Sequence, residues 1–109
     1  MSDVFISYSR KDIEFAQHIH QELESRNHEP WVDWQDIPPT AEWLDKVYAG
    51  IQAAATFLFI ISPDSVVSEI CTLETEHAVQ HNKRLVPVVL RDVEDDQVHP
   101  AMSAQTGYF

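Results

Sequence analysis

The feature that most constrains the fold of this chain is the apolar run TFLFIIS at residues 56–62, which contains no charged side chain. It is followed at once by Pro63 and Asp64, a combination typical of a turn. A strand with one wet face would alternate apolar and polar residues, whereas an unbroken apolar run is typical of a strand covered on both faces. The run therefore predicts an α/β fold, in which helices lie above and below a parallel sheet.

Strand-like and helix-like segments alternate along the chain. We predict strands at residues 3–8, 30–34, 56–62, 84–90 and 106–109, and helices from Ser9 to about Asn27, over 41–55 and over 65–82. Ser9, with Asp12 three residues on, is predicted to cap the first helix. The inward face of that helix is predicted from its three-and-four spacing to be Ile13, Ala16, Ile19 and Leu23. With right-handed crossovers, this order favours a flavodoxin-like three-layer sandwich with a five-stranded parallel sheet in the order 2-1-3-4-5.

Composition limits the classes of function. The 109 residues suffice for one domain, and 18 acidic against 7 basic residues give a formal net charge of −11, which disfavours binding to nucleic acid or to an anionic membrane. The single cysteine, Cys71, excludes an internal disulfide. Neither a signal peptide nor an apolar stretch of about 20 residues is evident. We therefore expect a cytoplasmic domain.

The predicted topology also indicates where a ligand would bind. In doubly wound sheets, ligands lie outside the carboxyl ends of the strands, near the point where the strand order reverses. Here that edge would carry Tyr8, Ser9 and Arg10 after the first strand and Ser62 after the third. The chain has only two glycines, Gly50 and Gly107, so no glycine-rich phosphate loop follows the first strand.

Three segments carry a resemblance to a known family: DVFISYSRKD at residues 3–12, WVDWQDIPPTAEW at 31–43 and SVVSEICTLE at 65–74. With these segments the sequence resembles a Toll/interleukin receptor (TIR) domain of the bacterial type. The resemblance covers nearly all of residues 1–109 and implies a single domain that lacks the last helix of the family. We expect it to be the N-terminal module of a longer protein.

The resemblance implies a catalytic residue. TIR domains either act as signalling scaffolds or cleave NAD at the nicotinamide-ribose bond, and the enzymatic members carry the pattern Ser-x-x-Cys-x-x-Glu. Ser68, Cys71 and Glu74 match it, so Glu74 is the implied catalytic carboxylate. Many enzymatic members have an aromatic residue four positions before the glutamate, where this chain has Ile70. From the residues alone, without the resemblance, the favoured interpretation of Glu74 is a surface glutamate of a helix.

The resemblance also implies residues that contact the substrate. Tyr8, Ser9 and Arg10 match positions that face NAD in the enzymatic members, with Arg10 suited to the pyrophosphate and Tyr8 to a ring. Ser9 is alternatively the helix cap, and Trp43 is either a stacking platform for a base or a packed helix residue. NAD is then the substrate, and no cofactor is expected.

Self-association is the last implied property. The loop with Asp36, Ile37, Pro38 and Pro39 matches the segment through which TIR domains contact one another, and its prolines lower the entropy cost of presenting it. The sequence therefore predicts an NAD hydrolase that works on self-assembly in bacterial signalling or defence. The alternative is a non-catalytic TIR scaffold.

Two other chemistries are weaker interpretations of the same helix. Glu74, His77 and His81 share one helical face, but no fourth zinc ligand is indicated, so we expect no metal site. Cys71 is expected to be a buried structural residue rather than a nucleophile.

Overall fold

The centre of the fold is a four-stranded parallel sheet in the order β2-β1-β3-β4. The computed structural model describes residues 3–32, 34 and 40–103. The strands are β1 (Val4–Ser7), β2 (Pro30–Trp31), β3 (Thr56–Ile61) and β4 (Arg84–Val89). The predicted α/β class and the 2-1-3-4 part of the strand order are confirmed. The predicted fifth strand at residues 106–109 lies outside the described residues.

Helices connect the strands and cover the sheet. They are α1 (Ile13–Ser25), α2 (Ala41–Ala53), α3 (Pro63–Val66), α4 (Glu69–Gln80) and α5 (Pro100–Ser103), with short 3₁₀ helices at Arg10–Asp12 and Asp95–Gln97. Each crossover between paired strands returns the chain in the same direction, as a parallel sheet requires.

The predicted single helix over residues 65–82 was wrong, because the structure has two helices there. Ser68 has extended backbone angles, and its hydroxyl accepts a hydrogen bond from the backbone N–H of Cys71 at 3.2 Å. A serine in that conformation is a helix N-cap, and it satisfies a donor that a continuous helix would have bonded to a preceding carbonyl. The helix that carries Glu74 therefore begins anew at Glu69.

The second strand is shorter than the predicted 30–34. Pairing with β1 is confined to Pro30 and Trp31, opposite Val4 and Phe5. Beyond this edge pairing, Trp34 leaves the sheet and contacts the ring of Tyr8.

Both faces of the sheet are covered, as the apolar run predicted. Side chains of β3 alternate between the faces: Phe57, Phe59 and Ile61 pack in a core cluster with residues of α2 and α4, whereas Leu58 and Ile60 pack in a second cluster with α1. The predicted inward face of α1 is confirmed, since Ala16 is fully buried and Ile13, Ile19 and Leu23 pack against the second cluster.

Glycine has a packing role in the first cluster. The Trp31 ring stacks on Phe5 with centroids 5.0 Å apart and lies so close to α2 that a Cβ at Gly50 would be 3.2 Å from the indole. Because that distance is tighter than most real Cβ contacts, Gly50 lets the edge strand β2 pack closely against the helix.

Two helices end at asparagines with left-handed backbone. Asn27 has φ 67° and Asn82 has φ 55°, and in each case the following residue's N–H bonds back to a carbonyl in the last turn of the helix. These are the hydrogen bonds of the Schellman motif, in which a residue in the αL conformation follows the helix and asparagine can replace the usual glycine. The predicted ends of these two helical regions, near Asn27 and Asn82, are confirmed.

Candidate active site

The carboxyl ends of β1, β3 and β4 meet at one edge of the sheet because the strands are parallel and paired in register. β1 lies between β2 and β3, so the connection after β1 runs to the strand on one side and the connection after β2 runs to the strand on the other. This is the switch point at which ligands bind in open α/β sheets. The residues brought to this edge are Ser7, Tyr8, Ser9 and Arg10 after β1 and Ser62 after β3.

Glu74 is buried beneath this edge. Only 7% of its surface is exposed, and its Oε1 accepts a hydrogen bond of 2.6 Å from the hydroxyl of Ser7, the last residue of β1. Ser7 is itself 1% exposed. By contrast, Glu69 and Glu76 on the same helix are exposed. The interpretation of Glu74 as a surface glutamate is therefore wrong, because the fold holds its carboxyl group in one place.

Cys71 lies one turn before Glu74 and is also buried. Burial and, to a smaller extent, the nearby charge of Glu74 raise the pKa of the Cys71 thiol to about 12, against smaller opposing effects of Ser68, Ser7 and Arg10. A thiol with such a pKa stays protonated near neutral pH and is a poor nucleophile. Cys71 is therefore a structural residue, as predicted.

Arg10 is held against Tyr8. Its Nη1 donates a hydrogen bond of 2.8 Å to the phenol oxygen of Tyr8, and its guanidinium carbon lies 5.2 Å from the centre of that ring. Tyr8 is 7% exposed and packs on the α1 side of the sheet, whereas Arg10 is half-buried. The strand end thus holds a cation in a chain whose net charge is −11.

Arg10 and Glu74 lie around the same point of the structure. Glu74 raises the pKa of the Cys71 thiol and Arg10 lowers it, so both charged groups lie within electrostatic range of Cys71. A cation and a buried carboxyl group at one edge of the sheet would suit a substrate that carries both phosphate and a developing positive charge.

Ser9 is the cap of the 3₁₀ helix Arg10–Asp12. Its hydroxyl accepts a hydrogen bond of 3.3 Å from the N–H of Lys11. The predicted capping partner, Asp12, has another role, because its carboxylate makes no cap hydrogen bond.

Asp12 has a structural role beside the candidate site that the sequence did not reveal. It is 4% exposed, and its carboxylate accepts hydrogen bonds from the hydroxyl of Ser62 and from the guanidinium of Arg91. Arg91 also lies 3.9 Å from Asp64. The network joins the segments that follow β1, β3 and β4, and so fixes the strand-end loops around the candidate site. Its only sequence signal is the placement of these polar residues just after apolar strands.

Trp43 is half-buried and packs against the first core cluster, and its backbone N–H donates a hydrogen bond to the hydroxyl of the N-cap residue Thr40. The loop residues Asp36, Ile37, Pro38 and Pro39 lie outside the described residues.

His77 lies beside α2, and His81 lies beside His77. The ring of His77 stacks on Tyr48 with centroids 4.1 Å apart and lies 4.4 Å from the ring of His81. In the part of the chain that the structure describes, no three His, Cys, Asp or Glu side chains gather in a metal-binding arrangement. Over the same residues, every helix is too short or too polar to cross a lipid bilayer.

The parallel sheet with helices on both faces defines an α/β protein. Comparison with known proteins gives its family. A family model for the TIR domain matches residues 4–109, so this chain belongs to the TIR-domain family. No curated protein matches the chain.

Solved structures are similar over most of the chain. The TIR domain of the Toll-related receptor TRR-2 from Hydra magnipapillata has a TM-score of 0.82 at 21% identity, covering 99% of this chain and 82% of that one. A TIR-STING receptor from C. gigas, solved with 2',3'-cGAMP, has a TM-score of 0.73 at 32% identity, covering 93% of this chain. The TIR domains of the Roq1 resistosome, which recognises the effector XopQ, have a TM-score of 0.71 at 19% identity over 90% of this chain.

This chain spans 32% of the C. gigas receptor chain and 62% of the Roq1 chain. What those whole proteins bind or recognise therefore describes them and not this domain.

Proposed function

We propose that this TIR domain is of the bacterial type and hydrolyses NAD at the nicotinamide-ribose bond when its copies assemble, in signalling or defence, with Glu74 as the catalytic residue. The observation that carries the proposal is the burial of Glu74 under the switch point, with Oε1 held by Ser7 at 2.6 Å. Burying a carboxyl group costs free energy because the group loses its hydration, and an apolar residue could fill the same space without that cost. A buried carboxyl group at a ligand-binding edge therefore supports a functional role.

The chemistry needs one carboxylate. Nicotinamide in NAD is bound to ribose through a positively charged nitrogen, so it leaves with the bonding electron pair as a neutral molecule and needs no general acid. The ribose carbon becomes oxocarbenium-like, water adds to it, and one proton is released with ADP-ribose. Glu74 would stabilise the positive charge on the ribose and orient its hydroxyl groups or the attacking water.

The anion of the substrate would be met by Arg10. The guanidinium presents its N–H groups in a planar fork that suits two phosphate oxygens, and Tyr8 holds it at the strand end through the 2.8 Å hydrogen bond. Tyr8 and Ser9 would line the same cleft, and Trp43 would present the exposed part of its ring to a base. Because the chain is strongly acidic overall, this local cation is needed to admit a dianionic pyrophosphate.

Assembly is proposed to complete the cleft. The segment with Ile37, Pro38 and Pro39 would contact a neighbouring copy, so that turnover rises with the degree of clustering. Replacing Ile37 or Pro39 by Ala is expected to weaken assembly and turnover together. Loss of turnover with unchanged assembly would contradict this role of the loop.

A non-catalytic scaffold is the second candidate function, and particular observations favour it. Ile70 stands where enzymatic members have an aromatic residue, and Val67 beside it on the α3–α4 segment is 69% exposed. Leu73, one turn further, is 37% exposed. Exposed apolar side chains on one segment suit a protein partner.

The deciding experiment measures nicotinamide release from NAD by protein clustered on beads. Wild type is compared with Glu74→Ala and with the matched control Glu76→Ala, which removes an exposed carboxylate from the same helix. The proposal expects release by wild type and by Glu76→Ala, and none by Glu74→Ala, with equal assembly by light scattering. Silence of all three proteins at verified assembly would favour the scaffold.

A further inference from the structure

A groove beside α1 is lined by a tryptophan and by polar side chains of that helix. Its volume is about 430 Å³, and its lining residues are Gln17, His20, Gln21, Glu24 and Trp34. The sequence placed Trp34 in the predicted second strand and indicated a binding role for none of these residues.

The indole of Trp34 is fixed but not stacked on by the neighbouring rings that the structure describes. It is 38% exposed, with the Tyr8 ring at 5.9 Å and 56° and the His20 ring at 5.5 Å and 65°. Neither ring lies parallel to the indole, whereas a nucleobase would stack parallel to it. Exposing this much of a tryptophan has a cost in solvation that a bound planar ligand would remove.

The polar lining residues suit a base rather than a phosphate. Gln17 and Gln21 are four residues apart on α1, so their amides lie on one face of the helix. A carboxamide pairs with the N6 amino group and N7 of adenine, one as donor and one as acceptor. Glu24, which lies 3.2 Å from His20, adds an acceptor, and none of the described residues that line the groove is Lys or Arg.

Side-chain contacts connect the groove to the candidate active site. Arg10 donates to the phenol of Tyr8, and the ring of Tyr8 contacts the ring of Trp34. A path of contacts thus leads from a guanidinium to a partly exposed indole. The order along this path, cation and then aromatic platform, matches the order of phosphate and base in a nucleotide.

We propose that the groove binds the adenine of an adenine nucleotide, which stacks on Trp34 and is read at its N6 and N7 edge by Gln17 and Gln21. The inference rests on the proposed function in one respect, that the nucleotide is NAD with its pyrophosphate at Arg10. It adds a second aromatic platform to Trp43 and assigns the base its own subsite.

Binding is tested first without turnover, by titrating AMP and IMP into the protein and following saturation transfer to the base protons by NMR. In IMP a carbonyl oxygen at C6 replaces the amino group of AMP. The glutamine amide oxygens and the carboxylate of Glu24 then have no N6 amino donor to bind. Wild type is expected to bind AMP more tightly than IMP. Trp34→Ala is expected to weaken AMP binding about tenfold, because stacking of one base contributes a difference of this size.

Further variants separate recognition from folding. Trp34→Phe keeps a planar ring and is expected to retain most of the affinity, and Gln21→Ala is expected to bring the AMP and IMP affinities together. Gln80→Ala, which removes an exposed amide from α4, is the matched control and should change neither. Equal AMP binding by Trp34→Ala and wild type, or no AMP binding by wild type at millimolar ligand, would overturn the proposal.

Turnover distinguishes this proposal from the proposed function. If the domain hydrolyses NAD, Trp34→Ala should raise KM for NAD about tenfold and leave KM for nicotinamide mononucleotide, which lacks adenine, unchanged. Hydrolysis with unchanged KM for NAD would remove the adenine site and keep the enzyme. Base-selective AMP binding without any hydrolysis would keep the site and remove the enzyme.

Discussion

The hydrogen bond between Ser7 and Glu74 offers the sharpest test of how the fold prepares its carboxyl group. Ser7→Ala removes the hydroxyl that donates to Glu74 Oε1 at 2.6 Å and leaves the rest of β1 unchanged. Both partners are buried, at 1% and 7% exposure, so water cannot readily replace the lost donor. The variant should therefore lose the full contribution of a buried hydrogen bond to a carboxylate.

The magnitude follows from the type of bond. Hydrogen bonds to charged groups contribute about 1.5–3 kcal/mol, roughly twice the contribution of neutral ones. For a domain of this length, each kcal/mol corresponds to about 4 °C in the melting temperature, so Ser7→Ala should melt about 6–12 °C below wild type. Ser25→Ala, which removes an exposed hydroxyl bonded to the Glu22 carbonyl, should change the free energy of unfolding by less than about 0.5 kcal/mol.

A double-mutant cycle with Glu74→Gln isolates the pair. Glutamine keeps the shape of the side chain but accepts a neutral hydrogen bond, so Ser7→Ala should cost only about 0.5–1.5 kcal/mol in that background. Urea unfolding followed by circular dichroism gives all four free energies of unfolding. If Ser7→Ala costs the same in both backgrounds, the carboxylate of Glu74 is not the acceptor and the reasoning is refuted.

Three further predictions concern other parts of the fold. The thiol of Cys71, whose pKa burial raises to about 12, should resist a disulfide reagent at about pH 8 in the folded protein and react fully in urea; fast reaction in the folded state would contradict its burial. Burial and the charge of His81 lower the pKa of His77, so the folded state disfavours the protonated imidazole. The stability that depends on neutral His77 is therefore fully present above the unfolded pKa of about 6.5 and is lost as pH falls through the folded pKa. Acidification to about pH 5.5 should then lower the melting temperature more in wild type than in His81→Gln, and equal shifts would disprove the coupling. Asn82→Ala should destabilise by about 1 kcal/mol in urea unfolding because φ is 55° there, whereas Asn82→Gly should be tolerated; equal stabilities would argue against left-handed strain.

Much of the fold could be predicted because it depends on local patterns. The apolar run of β3 requires cover on both faces, and the strand order follows from alternation and crossover handedness. The helix ends at Asn27 and Asn82 were also readable, since asparagine tolerates the αL conformation.

The two errors have different physical causes. Ser68 looks like an ordinary helical residue in a periodic segment, but its hydroxyl makes a local hydrogen bond that caps Cys71 and divides the helix. Asp12 looks like a capping partner of Ser9, but it is drawn into a buried network with Ser62 and Arg91. Ser62 and Arg91 lie far from Asp12 in the chain, so no spacing rule shows this network.

The candidate site was predictable only in part. Glu74 followed from a resemblance, and the fold alone revealed that Ser7 holds it. Trp34 had no sequence signal, because its importance lies in contacts with Tyr8 and His20, which belong to other segments.

The most direct test of the central claim is the initial rate of nicotinamide release at one fixed density of clustered protein, compared between Glu74→Gln and Glu69→Gln. Both changes replace one carboxyl group on α4 with an amide, but only Glu74 is buried under the strand ends. The account predicts that Glu74→Gln lowers the rate by about 100-fold or more, while Glu69→Gln keeps it within about twofold of wild type. Equal rates in the two variants, with NAD consumed by both, would contradict the assignment of Glu74 as the catalytic residue.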